Sequence, residues 1–293
     1  MPDSALAVQG ENGMALEVVV DGLAFGEGPR WHDGRLWYSD MHSQVVQAVD
    51  LDGRVETIVE VPLDPSGLGW LPDGRLLVVS MNDRRVLRLE PDGSLVTHAD
   101  LSHLASFTCN DMVVDRQGRA YVGNFGFDLH AGAAFAPAEL ILVEPDGSVR
   151  VVARDLSFPN GMVITPDEST LIVAESAGRD LLAFDLAEDG GLSGRRTWAD
   201  LGDGVPDGIC LDAEGAVWFA DPYRNGCFRV GEGGEVLGSV DCGRPTFACM
   251  LGGPERRHLF ALTAQGSAPD AAKAARSGRV EVIEVDVPGA GWP

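Results

Sequence analysis

From residue 16 almost to the end, short runs of apolar and β-branched residues alternate with polar turns, and helical periodicity is nearly absent. One unit recurs, an Asp-Gly or related turn followed by a short, mostly apolar run. It is clearest at 32–40, 72–80, 116–124, 166–175 and 213–221, and weaker at 255–263. A second Gly-rich turn follows each of the first five copies, at Asp52-Gly53, Asp92-Gly93, Asp146-Gly147, Asp189-Gly190-Gly191 and between Gly231 and Gly234. Asp-Gly between apolar runs is a strong hairpin signal, because such turns need residues that accept positive φ. Read in full, the second unit holds four strands, at 68–71, 75–80, 85–89 and 95–100. Four-stranded antiparallel units repeated about every 40 residues predict an all-β, six-bladed β-propeller. The sixth unit stops after a run at 279–285, one strand short, while Leu16-Glu17-Val18-Val19-Val20 is a strand with no unit of its own. The economical arrangement has this N-terminal strand complete the last blade and close the ring, which removes the open edge. The chain is then one propeller domain, 1–293, with 1–14 a poorly ordered extension. Only 270–276, rich in alanine, reads as a helical turn or two.

The repeat also says where chemistry is placed. The residues opening the innermost strands are Gly26-Glu27-Gly28-Pro29, Pro65-Ser66-Gly67, Cys109-Asn110-Asp111, Pro159-Asn160-Gly161, Pro206-Asp207-Gly208 and Pro245-Thr246-Phe247. Equivalent positions in a ring point at one end of the central axis. Four of them carry strong oxygen ligands: Glu27, Asn110, Asn160 and Asp207. Two carboxylates and two amides converging on an axis repel or go unsatisfied unless a cation joins them. The set has no His or Cys, so ligand hardness favours Ca²⁺, with Mg²⁺ or Mn²⁺ next and Zn²⁺ a further alternative. Asp50-Leu51-Asp52-Gly53 faintly resembles a calcium loop, but its Gly comes too early and it reads as a hairpin turn.

In an up-and-down blade the first strand starts and the second ends on one face. Asp40-Met41-His42, Ser80-Met81-Asn82, Asn124 to Asp128, Glu175-Ser176 and Asp221-Pro222-Tyr223 should therefore rim the axial site. The longest of these loops, 124–138, carries Phe125, Phe127, His130 and Phe135 and reads as a lid; 265–278 is a second candidate. His42 and His130 read as solvent-exposed loop residues. There is no Gly-x-Ser-x-Gly elbow, which argues against a serine triad.

Charge narrows the partners. Lys+Arg total 22 against Asp+Glu 45, a formal net charge of -23, so nucleic acid and anionic membrane surfaces are disfavoured. No run of 18 apolar residues exists, and Met1-Pro2-Asp3-Ser4 lacks the basic and apolar regions of a secretory signal. The five cysteines include no CxxC pair, as expected for reduced thiols. The expectation is a cytoplasmic protein, monomeric or weakly homo-oligomeric, acting on a small molecule.

Taken together, these features resemble the family of SMP-30, gluconolactonase and related enzymes. The carriers are Gly26-Glu27-Gly28-Pro29, Asn110-Asp111 with Asp115-Gln117-Gly118-Arg119 after it, Phe158-Pro159-Asn160-Gly161 and Pro206-Asp207-Gly208, over about 16 to 287. The resemblance implies a six-bladed propeller with a divalent metal held by Glu27, Asn160 and Asp207, and Asp207 as general base. It places Asn110 at the substrate, with Thr108 where sugar-lactonase members carry an Arg, and Asp128 near an acidic lid residue. Asn124 and Phe127 complete the expected substrate-binding set, and Phe107, Phe125, Phe127 and Phe247 make the pocket more apolar. The implied activity is hydrolysis of a small, gluconolactone-like lactone. A phosphotriester hydrolase using the same site, and a non-catalytic scaffold, are the alternatives.

Overall fold

The structure, a computed structural model, describes residues 16–291; the extension expected over 1–14 lies outside them. The described residues form six four-stranded antiparallel sheets in a ring. From the axis outward, blade one runs Gly26–His32, Arg35–Asp40, Val45–Val49 and Val55–Glu60. Blades two to five repeat this order, with innermost strands Pro65–Trp70, Cys109–Val114, Pro159–Ile164 and Ile209–Leu211. Blade six is built from Thr246–Gly252, His258–Thr263 and Gly278–Glu284, and its outermost strand is Glu17–Leu23. Glu17 lies opposite Val282 and Leu23 opposite Gly278, so the first strand closes the ring as its surplus implied.

The cores lie between blades, where alternate residues of facing sheets interdigitate. Tyr38, Leu68, Leu77, Met112, Tyr121, Leu140, Phe219 and Phe260 are fully buried there. Each such side chain contributes roughly 1.5–3 kcal/mol on leaving water. The outermost strands Val55–Glu60 and Val236–Asp241 are largely exposed. The only helices among the described residues are the single 3₁₀ turn Met41–Ser43 and the helix Pro269–Ala275, which the alanine-rich stretch foreshadowed. Neither is long and apolar enough to cross a membrane.

The innermost strands start earlier than alternation predicts. The second begins at Pro65 instead of 68, because Pro65-Ser66-Gly67 is paired but irregular: the register slips between Pro65 and Leu68. The same slip falls between Glu27 and Arg30, Cys109 and Met112, and Pro159 and Met162. A bulge re-aims side chains and releases backbone from the ladder. Here it turns Glu27, Ser66, Asn110 and Asn160 toward the axis. The glycines that follow allow neighbouring strands to approach. A Cβ on Gly67 would lie 2.3 Å from Met112 N, and one on Gly161 2.5 Å from Ile209 N. Gly67→Ala should therefore cost about 1–3 kcal/mol and lower the Tm by several degrees in a thermal melt. An unchanged Tm would mean that the inner ring is loosely packed.

Candidate functional site

All four expected axial residues line one cavity of about 500 Å³, at the end of the channel where the innermost strands begin. Asn110, Asn160 and Asp207 lie in one hydrogen-bonded run, with Glu27 beside it. Ser66 Oγ donates to Asn110 Oδ1 at 3.4 Å, and Asn110 Nδ2 donates to Asn160 Oδ1 at 3.0 Å. Asn160 Nδ2 donates to Ser176 Oγ at 3.2 Å and also supports the Asp207 carboxylate. Asp207 precedes the short strand Ile209–Leu211 and is fixed by its own N–H, which donates to Ala220 O at 2.9 Å. Gly28 N donates to Glu27 Oε2 at 3.0 Å. Phe158, at φ 63, forces the left-handed turn that delivers Pro159 and Asn160 to the axis.

The electrostatics are unfavourable by design. Burial, then the charges of Asp207 and Asp111, push the Glu27 carboxyl well above its usual range. Burial, then Asp111, likewise push Asp207 up, against the hydrogen bond from Asn160. No cationic side chain of the described residues forms an ion pair with either carboxylate; the nearby Arg30 is committed elsewhere. Its Nη2 lies 3.4 Å from Asp111 Oδ1 and donates to Met112 O at 2.6 Å, while Nη1 donates to Pro29 O at 2.8 Å. Arg30 and Asp111 are the elements that sequence reasoning missed. Both are buried, on strands far apart in the chain, and only the Asn110-Asp111 dipeptide hinted at one of them. Among the described residues no group of three or more His, Cys, Asp or Glu is placed to hold a metal ion. The axial set has two acids and draws its remaining oxygens from amides. That donor chemistry fits a hard divalent cation, which would offset the repulsion between the two carboxylates.

The other expected residues divide. Thr108, Phe127 and Asp128 line the cavity together with Phe25, Phe107, Phe125, Phe158 and Phe247. Loop 124–138 folds back over it: Phe125 packs edge-on to Phe158 at 4.8 Å, and Phe127 to Phe135 at 5.6 Å. Asp128 Oδ1 accepts from Ala131 N at 2.9 Å, which shapes that loop. Asn124 does not reach the cavity. It is fully buried, donating to Glu139 O at 3.0 Å and accepting from Gly126 N at 3.0 Å, so its role is to anchor the loop's start. His42 departs from expectation too. It is buried and stacked on Phe25 at 5.6 Å, whereas His130 is exposed as expected. The exposed reading failed because nothing local in the sequence shows that the Met41–Ser43 turn folds inward.

The cysteines are free thiols, four buried and Cys242 half-buried. Cys210, Cys227, Cys242 and Cys249 gather where blades five and six meet, with Cys210 and Cys249 sulfurs 3.9 Å apart.

The fold and the axial set can now be set beside known proteins. The model of the SMP-30/Gluconolactonase/LRE-like region matches residues 25–265. The chain belongs to this family. Among its relatives, the pentonolactonase of Haloferax volcanii is 27% identical, over 96% of this chain and 97% of that protein. The 6-deoxy-6-sulfogluconolactonase of Pseudomonas putida is 26% identical, over 94% and 96% respectively. The solved structure of a calcium-binding protein, regucalcin, from Agrobacterium tumefaciens superposes with a TM-score of 0.80 at 24% identity, covering 95% of this chain and 96% of that one. That last likeness shows the family's six-bladed fold. Glu27, Asn110, Asn160 and Asp207 all fall within the stretch that matches the SMP-30/gluconolactonase region.

Proposed function

We propose that the protein is a divalent-metal-dependent hydrolase that opens sugar lactones. The observation that carries this reading is the pair of carboxylates, buried Glu27 and half-buried Asp207, facing one cavity without an ion-pair partner. Relatives named as lactonases along nearly their whole length support the reaction class. Glu27, Asn160 and Asp207 are the residues proposed to hold the ion, with Asn110 beside them; Ca²⁺ is the ion their oxygen chemistry favours. A bound divalent cation supplies charge neutralisation and Lewis-acid polarisation of the lactone carbonyl.

The remaining work falls to the chain. Asp207 accepts the proton of a water as its oxygen attacks the carbonyl carbon. Contact with the cation would hold Asp207 in its ionised form, the form a base requires, and would acidify the water that it deprotonates. The ring C–O bond then breaks, and the same proton passes to the leaving oxygen, giving a hydroxy acid. Asn110 and Asn160 orient oxygens without adding charge, and their mutual hydrogen bond fixes both amides. The phenylalanine walls exclude bulk water, which strengthens every polar contact at the axis.

The test is acid release from glucono-1,5-lactone by chelated and Ca²⁺-restored protein. Chelation should reduce turnover by roughly 10²-fold or more, since cation stabilisation of the developing charge is worth several kcal/mol. Full activity in the chelated protein would overturn the metal-dependent reading.

A further inference from the structure

The polar side chains of the cavity are not confined to the axis. On the wall formed by blades one and two, His42, Asp64 and Asn82 also face it. Asp64 is a non-glycine residue held at φ 61, in the left-handed region. Its position is over-determined: Gln44 Nε2 donates to Oδ1 at 3.4 Å, Asn82 Nδ2 donates to Oδ2 at 3.2 Å, and Met81 N donates to its backbone oxygen at 3.0 Å. His42 Nδ1 stands 3.6 Å from Asp64 Oδ2, and His42 Nε2 is engaged by Ser267 O at 3.1 Å. The imidazole is thus clamped between the Asp64 carboxylate, the Phe25 ring and the loop that leads into helix Pro269–Ala275. Such rigid placement of a charged acceptor in a cavity lined by six phenylalanines among other residues has no evident packing purpose.

We propose that Asp64, positioned by His42 and Asn82, binds the hydroxyl groups of the substrate and selects a polyhydroxylated lactone over an unsubstituted one. The proposal rests on the lactonase reading and adds the residue that discriminates among lactones. An ionised carboxylate offers about four acceptor directions, and the two amide donors use two of them. The free directions suit two neighbouring hydroxyls of a sugar ring. Burial alone would raise the Asp64 carboxyl, but the adjacent His42 ring and the hydrogen bonds from Gln44 and Asn82 outweigh it and leave it below its usual range. The acceptor therefore persists at neutral pH. Thr108, at another part of the wall, supplies only a short hydroxyl. Asp64 is where this chain places the charge for recognising polyols.

The experiment compares wild type, Asp64→Ala and Asp64→Asn on two lactones with the same six-membered ring. Glucono-1,5-lactone carries hydroxyls and δ-valerolactone carries none. Loss of a hydrogen bond to a charged acceptor should raise KM for gluconolactone roughly 10- to 100-fold in Asp64→Ala. Its kcat, and both parameters for valerolactone, should be unchanged. Asp64→Asn, which keeps one acceptor oxygen, should recover part of the loss. Calorimetric titration with D-glucitol reads the same contact without turnover, and its Kd should rise by a similar factor in Asp64→Ala. Equal losses on both lactones, or an unchanged glucitol Kd, would overturn the proposal. Should wild type open neither lactone, the lactonase reading fails, and the glucitol Kd alone decides for or against Asp64.

Discussion

Asp207→Asn is expected to lower kcat for lactone opening by roughly 10²- to 10⁴-fold, the range associated with loss of a general base, while making the metal-free protein more stable. Both effects have one origin. Asp207 is half-buried and largely desolvated beside the charges of Asp111 and Glu27, so its ionised form is disfavoured in the folded chain. Asparagine keeps the shape and the contact with Asn160 but removes the charge, trading activity for stability. The sign of the pH response follows. A carboxyl whose folded pKa is raised binds its proton more readily in the folded than in the unfolded chain. Its contribution to stability grows as pH falls through the folded pKa toward the ordinary carboxylate range near 4, and is lost as pH rises back through it. In chelator, the Tm advantage of Asp207→Asn over wild type should be largest above the folded pKa and shrink as pH drops. Paired thermal melts across the acid range check this, and an advantage that widens with acid would contradict it. Added Ca²⁺ should stabilise wild type and leave the variant little changed.

Arg30→Ala should produce the largest loss of stability, about 3–5 kcal/mol, because it strips the partner from a buried acid. The Arg30 and Asp111 side chains are only 5% and 7% exposed and meet at 3.4 Å. Arg30 also donates to Met112 O and Pro29 O, so its removal takes a donor from two carbonyls in addition to the carboxylate. Asp111 would then stand unpaired near Glu27 and Asp207, whose pKa values it already raises. Urea unfolding measures the loss. Arg54, an exposed arginine paired with Asp50 and Asp52, provides the contrast; Arg54→Ala should cost less than about 0.5 kcal/mol. The double change Arg30→Ala with Asp111→Ala should recover part of the loss, because the stranded charge goes with it. Equal costs for Arg30→Ala and Arg54→Ala would show that the inner pair carries no weight.

The ring was legible because the signals are local and repeated. Asp-Gly turns and apolar runs set each blade, and the surplus strand at Val18-Val19-Val20 had only one place to go. The axial set was legible by position, since equivalent residues of a ring share an environment; Glu27, Asn110, Asn160 and Asp207 do face one cavity. What escaped depends on contacts between distant segments. Arg30 sits inside a strand that reads as ordinary β-structure, and its partner lies on blade three. His42 is buried by Phe25 and Ser267, neither of which its neighbours in sequence announce. Loop position alone points Asn124 at the substrate, but Glu139 across the loop claims its amide. Even the starts of the innermost strands were hidden, because a bulge breaks the alternation by which strands are recognised.

The closing strand has a consequence for how the molecule comes to be made. Glu17–Leu23 leaves the ribosome before any blade, yet its pairing partner Gly278–Glu284 is among the last segments synthesised. The earliest strand must therefore wait, unpaired, through translation of nearly everything else. Contacts of such sequence separation are slow to form. The circle therefore cannot be completed until the last blade has been made.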